Sequence, residues 1–365
     1  TFELTTNYRS GSTAGLKSPV AADFNNDGLL DVAFFNYGTN SFHVLIGDGK
    51  GNYTAELMTL VGSFTTWAFI ISTGDFNEDA NLDLVFTSEN RDYVYFIFGN
   101  GNGTFRSLTT FYMGSGIRTR GVSTFDFNND THLDVALASQ SENTIYVLLG
   151  YGNGSFTDKA PYYAGRNTNP SSLALADMNN DGYKDIVYNN IMTRTIGILL
   201  GKGDGTFETE MHYLCGGYYN PSFIALGDFN GDNKTDVAVS YSEGRSMGVL
   251  LGTGNGTLSD LTKFFIDSRT YYARPAFGDL NNDGYSDIIL GSIAPYIIYV
   301  FVSSGDGNVD VQTVFTPVPA ITGVSRYSWM NVVDFNNDGC QDILASEDVT
   351  GAVFILLNTC ACRKN

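Results

Sequence analysis

The nine-residue string DFNNDGLLD, Asp23 to Asp31, places Asp, Asn, Asp and Asp at its first, third, fifth and ninth positions, with a glycine at the sixth. It recurs as DFNEDANLD from Asp75, DFNNDTHLD from Asp126, DMNNDGYKD from Asp177, DFNGDNKTD from Asp228, DLNNDGYSD from Asp279 and DFNNDGCQD from Asp334. Successive copies lie 52, 51, 51, 51, 51 and 55 residues apart. A period of about 50 residues marks repeated supersecondary units, none able to bury its apolar face alone. The chain therefore divides into repeats and not into two or three ordinary domains.

One repeat reads as four strands. SPVAADF runs into the first Asp loop, DVAFFN leaves it, SFHVLIG follows, and YTAELMTL closes the unit. Each run is strand-length, rich in β-branched or aromatic residues, and bounded by Gly, Asn or Asp. The 26 Phe and 22 Tyr favour sheet over helix. A second element joins the third and fourth strands: GDGKGNY from Gly47, GNGNGTF from Gly99, GYGNGSF from Gly150, GKGDGTF from Gly201, GTGNGTL from Gly252, and a weaker SGDGNV from Ser304. A phosphate-binding glycine loop needs a helix after it. Here a strand follows, so these are hairpin turns.

Four-stranded units repeated in a ring describe an all-β fold, the β-propeller. Seven Asp loops give seven blades in a single domain spanning residues 1–365, with repeats starting near 18, 68, 119, 170, 221, 272 and 327. The last repeat ends after its third strand, AVFILLN, and TFELTTNYRSG at the N-terminus matches the fourth strands elsewhere, as in TFRSLTTFYMG from Thr104. Residues 1–10 are thus expected to form the outer strand of the last blade and close the ring. The pairing of D-x-N-x-D-G-x-x-D loops with G-x-G-x-G-T-F turns resembles the FG-GAP/VCBS repeat family, the propeller of integrin α-subunits and some fungal lectins.

That resemblance implies calcium, up to seven ions, held by side-chain oxygens at loop positions 1, 3, 5 and 9 and by the backbone carbonyl of position 7. The ligands would be Asp23, Asn25, Asp27, Leu29 and Asp31 in the first loop, then Asp75, Asn77, Asp79, Asn81 and Asp83 in the second. The third and fourth would use Asp126, Asn128, Asp130, His132 and Asp134, and Asp177, Asn179, Asp181, Tyr183 and Asp185. The remaining sets are Asp228, Asn230, Asp232, Lys234 and Asp236; Asp279, Asn281, Asp283, Tyr285 and Asp287; and Asp334, Asn336, Asp338, Cys340 and Asp342. Calcium takes six to eight oxygens, which suits such a loop. Position 3 is often Asp in integrin-like loops and is Asn in all seven here, which implies modest affinity, suited to millimolar extracellular calcium. At position 6, Gly28, Gly182, Gly284 and Gly339 fit a left-handed turn and Asn233 tolerates it, whereas Ala80 and Thr131 do not. Loops two and three are therefore expected to bind weakly or bend differently.

The loops hold 21 of the 39 acidic residues, and one divalent cation in each would bring the formal net charge from −19 to −5. An acidic chain excludes a phosphate-binding surface, so no nucleic acid partner is expected. No apolar run is long enough to span a membrane. TFELTTNYRSG shows no signal peptide and no initiator Met, so it reads as a processed mature end. Of the four cysteines, Cys340 and Cys360 belong to the last repeat and are expected to face each other; a bridge there implies an oxidising compartment, and buried free thiols are the alternative. Sequons at Asn52, Asn102, Asn153 and Asn255 coincide with glycine turns, where Asn-Gly-Thr serves either turn chemistry or glycosylation; those at Asn129 and Asn233 lie inside Asp loops and are poorer acceptors. These features point to a secreted, extracellular protein.

The loops on the opposite face differ between repeats and gather Trp67, Arg118, Arg120, Arg166, Tyr218, Tyr271, Arg274, Arg326 and Trp329. A face rich in Arg, Tyr and Trp suits recognition of a glycan or an extracellular protein, while the same aromatics could also plug gaps between blades. A self-assembling fibre, with residues 1–10 exchanged head to tail, is the second reading. The three histidines, His43, His132 and His212, occupy unrelated repeat positions with no nucleophile motif, so no enzymatic activity is expected.

Overall fold

The computed structural model describes all residues except 1, 10–14, 62–67, 89–90, 159, 209–210, 216–218, 242–245, 266–274, 292–297, 306–308, 316–326, 348–350 and 360–365. Its 28 strands form seven four-stranded antiparallel sheets. Blade 1 is built from Leu16–Ala22, Asp31–Asn36, Ser41–Gly47 and Tyr53–Leu60, counted from the ring axis outward. The second, third and fourth strands fall where the sequence places them; the inner strand begins two residues earlier than expected and ends before Asp23. Inner strands of successive blades touch one another around the whole ring. No helix is long and apolar enough to cross a membrane.

The alternation of a β-strand explains how one sequence serves two neighbours. In DVAFFN every residue is buried. Val32 and Phe34 join Phe335, Leu344, Val353 and Ile355 of blade 7, whereas Ala33 and Phe35 join Ile71, Leu84 and Phe86 of blade 2. Seven such apolar clusters lie between the seven pairs of adjacent blades. Each fully buried Phe or Leu contributes roughly 1.5–3 kcal/mol, so the core of this molecule is the set of blade interfaces.

Closure happens as the sequence implies. Phe2–Arg9 pairs antiparallel with Ala352–Asn358, from Phe2 opposite Asn358 to Arg9 opposite Ala352. Phe2 and Leu4 pack on the cluster shared by blades 6 and 7. Tyr8 packs into the cluster between blades 7 and 1, and its hydroxyl donates to Glu56 on the outer strand of blade 1. The terminal strand thus stitches one side of the seam to the other.

Deleting residues 1–10 is expected to lower the melting temperature by several degrees and to leave the edge of Ala352–Asn358 unpaired. A synthetic TFELTTNYRS peptide added in trans should restore both; an unchanged melting curve for the deletion would show that the strand does not close the ring.

Candidate functional site

The ninth residue of each Asp loop is the first residue of a second strand, and all seven are fully buried: Asp31, Asp83, Asp134, Asp185, Asp236, Asp287 and Asp342. Each carboxylate is held by two backbone N–H donors. In blade 1, Phe24 N donates to Asp31 Oδ2 at 2.9 Å and Gly47 N donates to Oδ1 at 2.9 Å. The same pair recurs in blade 4, where Met178 N and Gly201 N lie 2.7 and 2.8 Å from Asp185, and in blade 7, where Phe335 N and Asn358 N lie 2.8 and 2.7 Å from Asp342. One side chain therefore ties the Asp loop to the glycine turn. The first glycine of that turn is fixed by close approach: a Cβ at Gly201 would sit 2.3 Å from the carbonyl oxygen of Lys184.

Position 2 extends the tie to the next blade. Its carbonyl accepts an N–H from the following blade's turn, Gly103 to Phe24 at 2.9 Å, Gly154 to Phe76 at 2.8 Å, Gly205 to Phe127 at 3.0 Å and Gly256 to Met178 at 2.9 Å. Asn358 Nδ2 does the same for Leu280 at 2.6 Å.

The remaining loop oxygens turn inward. Asp23 Oδ1 and Asn25 Oδ1 both accept from Asp27 N, each at 3.1 Å, so the two oxygens face a common point. Asp23 Oδ2 accepts from Gly28 N, and Asp27 Oδ1 from Leu29 N, both at 2.8 Å. The third loop is bent identically: Thr131, at φ +76°, donates to Asp126 Oδ2 at 2.8 Å, and Ala80 in the second loop, at φ +63°, donates to Asp75 Oδ2 at 2.8 Å. Of the two alternatives expected for these loops, weak binding or a different bend, the different bend is thus corrected. The loop's hydrogen bonds outweigh a left-handed penalty of roughly 1–2 kcal/mol.

Among the described residues no group of three or more His, Cys, Asp or Glu is gathered tightly enough to form a metal cluster outright. The donor set itself, three carboxylates and an amide oxygen on a loop already curled around them, fits a hard divalent cation. The electrostatics point the same way. Burial, then repulsion from positions 5 and 1, raises six of the ninth-position aspartates to about 6 despite their two amide donors, and Asp31 is raised for the same reasons.

Among the described residues, two loops carry their own cation. Arg106 Nη2 lies 2.7 Å from Asp79 Oδ2 in loop two, and Lys234 Nζ lies 2.9 Å from Asp232 Oδ2 in loop five. In the other five loops that same oxygen accepts from the position-3 Asn, at 2.9 Å in loop one and 2.8 Å in loop three. Loop two is therefore distinguished by Arg106 as well as by Ala80, and loop five by a lysine at position 7.

The opposite face is placed in part. Arg118 and Arg166 are exposed there. Arg120 lies within an inner strand, at the bulge between Thr119 and Gly121, and Trp329 likewise lies inside its strand and not ahead of it. Trp67, Tyr218, Tyr271, Arg274 and Arg326 fall outside the described residues. The structure adds an arc that loop-based reasoning misses. Leu60, Tyr112, Tyr163 and Leu214 end the outer strands of four consecutive blades and are 70, 54, 54 and 74% exposed. Their signal was the odd-even alternation of those strands, read to its last residue.

Asn102, Asn153 and Asn255 are exposed, and each Oδ1 accepts from the backbone N–H two residues on, at 3.1, 3.0 and 3.1 Å. Asn52 is exposed as well. Cys340 is disulfide-bonded and Cys215 is a buried free thiol; Cys360 lies outside the described residues. Ser41, His43 and Glu56 form a Ser–His–carboxylate run, with Ser41 Oγ 2.8 Å from His43 Nε2 and His43 Nδ1 2.5 Å from Glu56, but Ser41 is fully buried.

The sequence and the blades together define the class. Residues 23–86, 75–137, 126–188 and 228–290 match the FG-GAP-like repeat, and the chain belongs to that family. Among solved structures, virginiamycin B lyase from Staphylococcus aureus superposes with a TM-score of 0.68 at 10% identity, covering 98% of this chain and 100% of that one. An Agrocybe aegerita lectin that recognises non-reducing terminal N-acetylglucosamine gives 0.60 at 18% identity, covering 82% and 80%. BBS1N, solved in complex with ARL6DN, gives 0.67 at 12% identity over 100% and 98%. At these identities the likeness is one of fold. Such a propeller with FG-GAP repeats fits a binding module.

The raised aspartates fix a pH dependence. In metal-free protein their folded pKa of about 6 lies above the unfolded carboxylate value, so the folded state binds more protons between about pH 4 and 6. Stability should accordingly fall as pH rises through that window. Calorimetry in excess chelator is expected to show a higher melting temperature at pH 4.5 than at pH 7; the reverse order would contradict the assignment.

Proposed function

We propose that this protein is a secreted, calcium-stabilised binding module that recognises a glycan or an extracellular protein through the face opposite its Asp loops. The observation that carries the reading is the division of labour between the two faces. One holds the crowded carboxylates, and the other bears the exposed arc Leu60, Tyr112, Tyr163 and Leu214 beside Arg118 and Arg166. Aromatic and arginine side chains dominate recognition surfaces. The lectin of the same fold supports a glycan, and the Cys340 disulfide supports an oxidising, extracellular setting. Binding is favoured over catalysis because the Ser41 hydroxyl of the Ser–His–Glu run is fully buried. The strand Phe2–Arg9 would serve equally in a neighbouring chain, which is the fibre reading; its pairing with Ala352–Asn358 of its own chain favours the self-closed module.

Calcium would be held by positions 1, 3, 5, 7 and 9 of the loops and would neutralise their repulsion. Loops two and five, already paired to Arg106 and Lys234, would hold it least well. Equilibrium dialysis is expected to find about five ions per chain at calcium levels where loops two and five stay empty, and Arg106→Ala should add one. Seven equivalent sites would remove the role given to the two basic residues.

The recognition face is tested by screening the native protein against immobilised glycans and extracellular proteins. Leu60→Ser and Leu214→Ser change only exposed side chains and should weaken the strongest partner by about tenfold. Unaltered affinity in both variants would place recognition elsewhere.

A further inference from the structure

A cavity of about 290 Å³ lies on the ring axis, walled by inner strands of six of the seven blades. Ser18, Ser172 and Trp329 each lie third in a seven-residue inner strand and Pro275 lies just ahead of its own, so these walls sit toward the face opposite the Asp loops, while Phe277 and Asn331 lie at and beyond mid-strand. Among the described residues, none of those lining it is charged, although the chain carries a net charge of −19.

The walls are built for a specific kind of occupant. The Trp329 ring lies 6.3 Å from Phe223 of blade 5 and packs against the cluster shared by blades 2 and 3, so the indole reaches from blade 7 across the axis. Phe277 is 39% exposed, although it belongs to an inner strand. Asn331 donates Nδ2 to the Pro19 carbonyl at 2.8 Å, which orients the amide, and among the described residues its Oδ1 accepts no hydrogen bond. Ser172 N is held by Asn189 Oδ1 at 2.8 Å, which fixes the serine beside the cavity. Ser18 is buried at φ +48° directly before Pro19, a backbone position that both residues disfavour. Such strain is kept where the surroundings over-determine it, commonly at ligand sites.

We propose that the axial cavity binds one neutral pyranose ring, the terminal residue of a glycan entering end-on; this rests on the recognition reading above and names its ligand class. A pyranose presents an apolar C–H face, which suits an indole and a phenyl ring, and a rim of hydroxyls, which suits an amide oxygen and a serine. The described lining residues offer no charged partner to a carboxylate or an ammonium group, whose burial unpaired is costly. The volume admits a single ring and leaves the rest of the chain outside.

The test uses the full chain with Trp67→Phe, which leaves Trp329 as its one tryptophan. It is titrated with the methyl glycosides of glucose, galactose, mannose and N-acetylglucosamine, with glucuronate as the charged control, and read by tryptophan emission and saturation-transfer NMR. At least one neutral glycoside should shift the emission saturably and bind about tenfold more tightly than glucuronate. Phe277→Ala, checked for an unchanged melting temperature, should weaken it by about tenfold, and Trp329→Ala by more. A glycoside that binds both variants as tightly as the parent overturns the axial site and leaves the recognition reading standing. If no neutral glycoside perturbs Trp329, the ligand class is overturned, while the screen of glycans and proteins decides the recognition reading on its own.

Discussion

A buried carboxylate with two backbone donors, repeated in every blade, is the interaction on which this propeller depends. Asp185 shows the logic. Its oxygens take the amides of Met178 and Gly201, which begin the Asp loop and the glycine turn. Hydrogen bonds to a charged acceptor are worth about 1.5–3 kcal/mol each, and a buried amide left without an acceptor costs a similar amount. The carbonyl of Met178 then receives Gly256 of the next blade, and its side chain enters the cluster between blades 4 and 5. Hairpin, loop and neighbouring blade are thereby placed by Asp185 and Met178 together.

The same device creates the molecule's electrostatic problem. A carboxylate that must be buried for geometry lies beside two more that the loop needs for its own turns. Burial first, and then repulsion from Asp181 and Asp177, raises Asp185 to about 6. Arg106 and Lys234 help hold Asp79 and Asp232 low at two loops, while the buried Asp83 and Asp236 of those loops stay raised. A cation from outside would relieve the crowding further, and this is the physical reason for proposing that the loops take calcium.

Much of the architecture was legible because it depends on period and alternation. The 51-residue spacing fixed the blade count, DVAFFN announced a strand buried on both faces, and TFELTTNYRSG matched the fourth strands closely enough to predict closure. What escaped was long-range or conformational. Arg106 is 27 residues from Asp79 and meets it only because the glycine turn folds back over the loop. Position 4 also adopts a left-handed backbone, as at Asn26 and Glu78, and among the seven loops only Gly231 of loop five carried a glycine there to announce it. Trp329 reads as a loop aromatic, and only the strand bulge between Tyr327 and Trp329 and the curvature of the ring carry its indole to the axis. Sequence spacing could not separate a loop platform from an axial wall.

The central claim is that divalent cations neutralise the Asp loops and thereby hold the blades in place. The most direct measurement is differential scanning calorimetry at pH 7 in millimolar calcium and in excess chelator. Calcium should raise the melting temperature by many degrees, because several sites bind only the folded state and their contributions add. A melting temperature unchanged by calcium, magnesium or chelator would contradict the account and leave the seven carboxylates as purely structural hydrogen-bond acceptors.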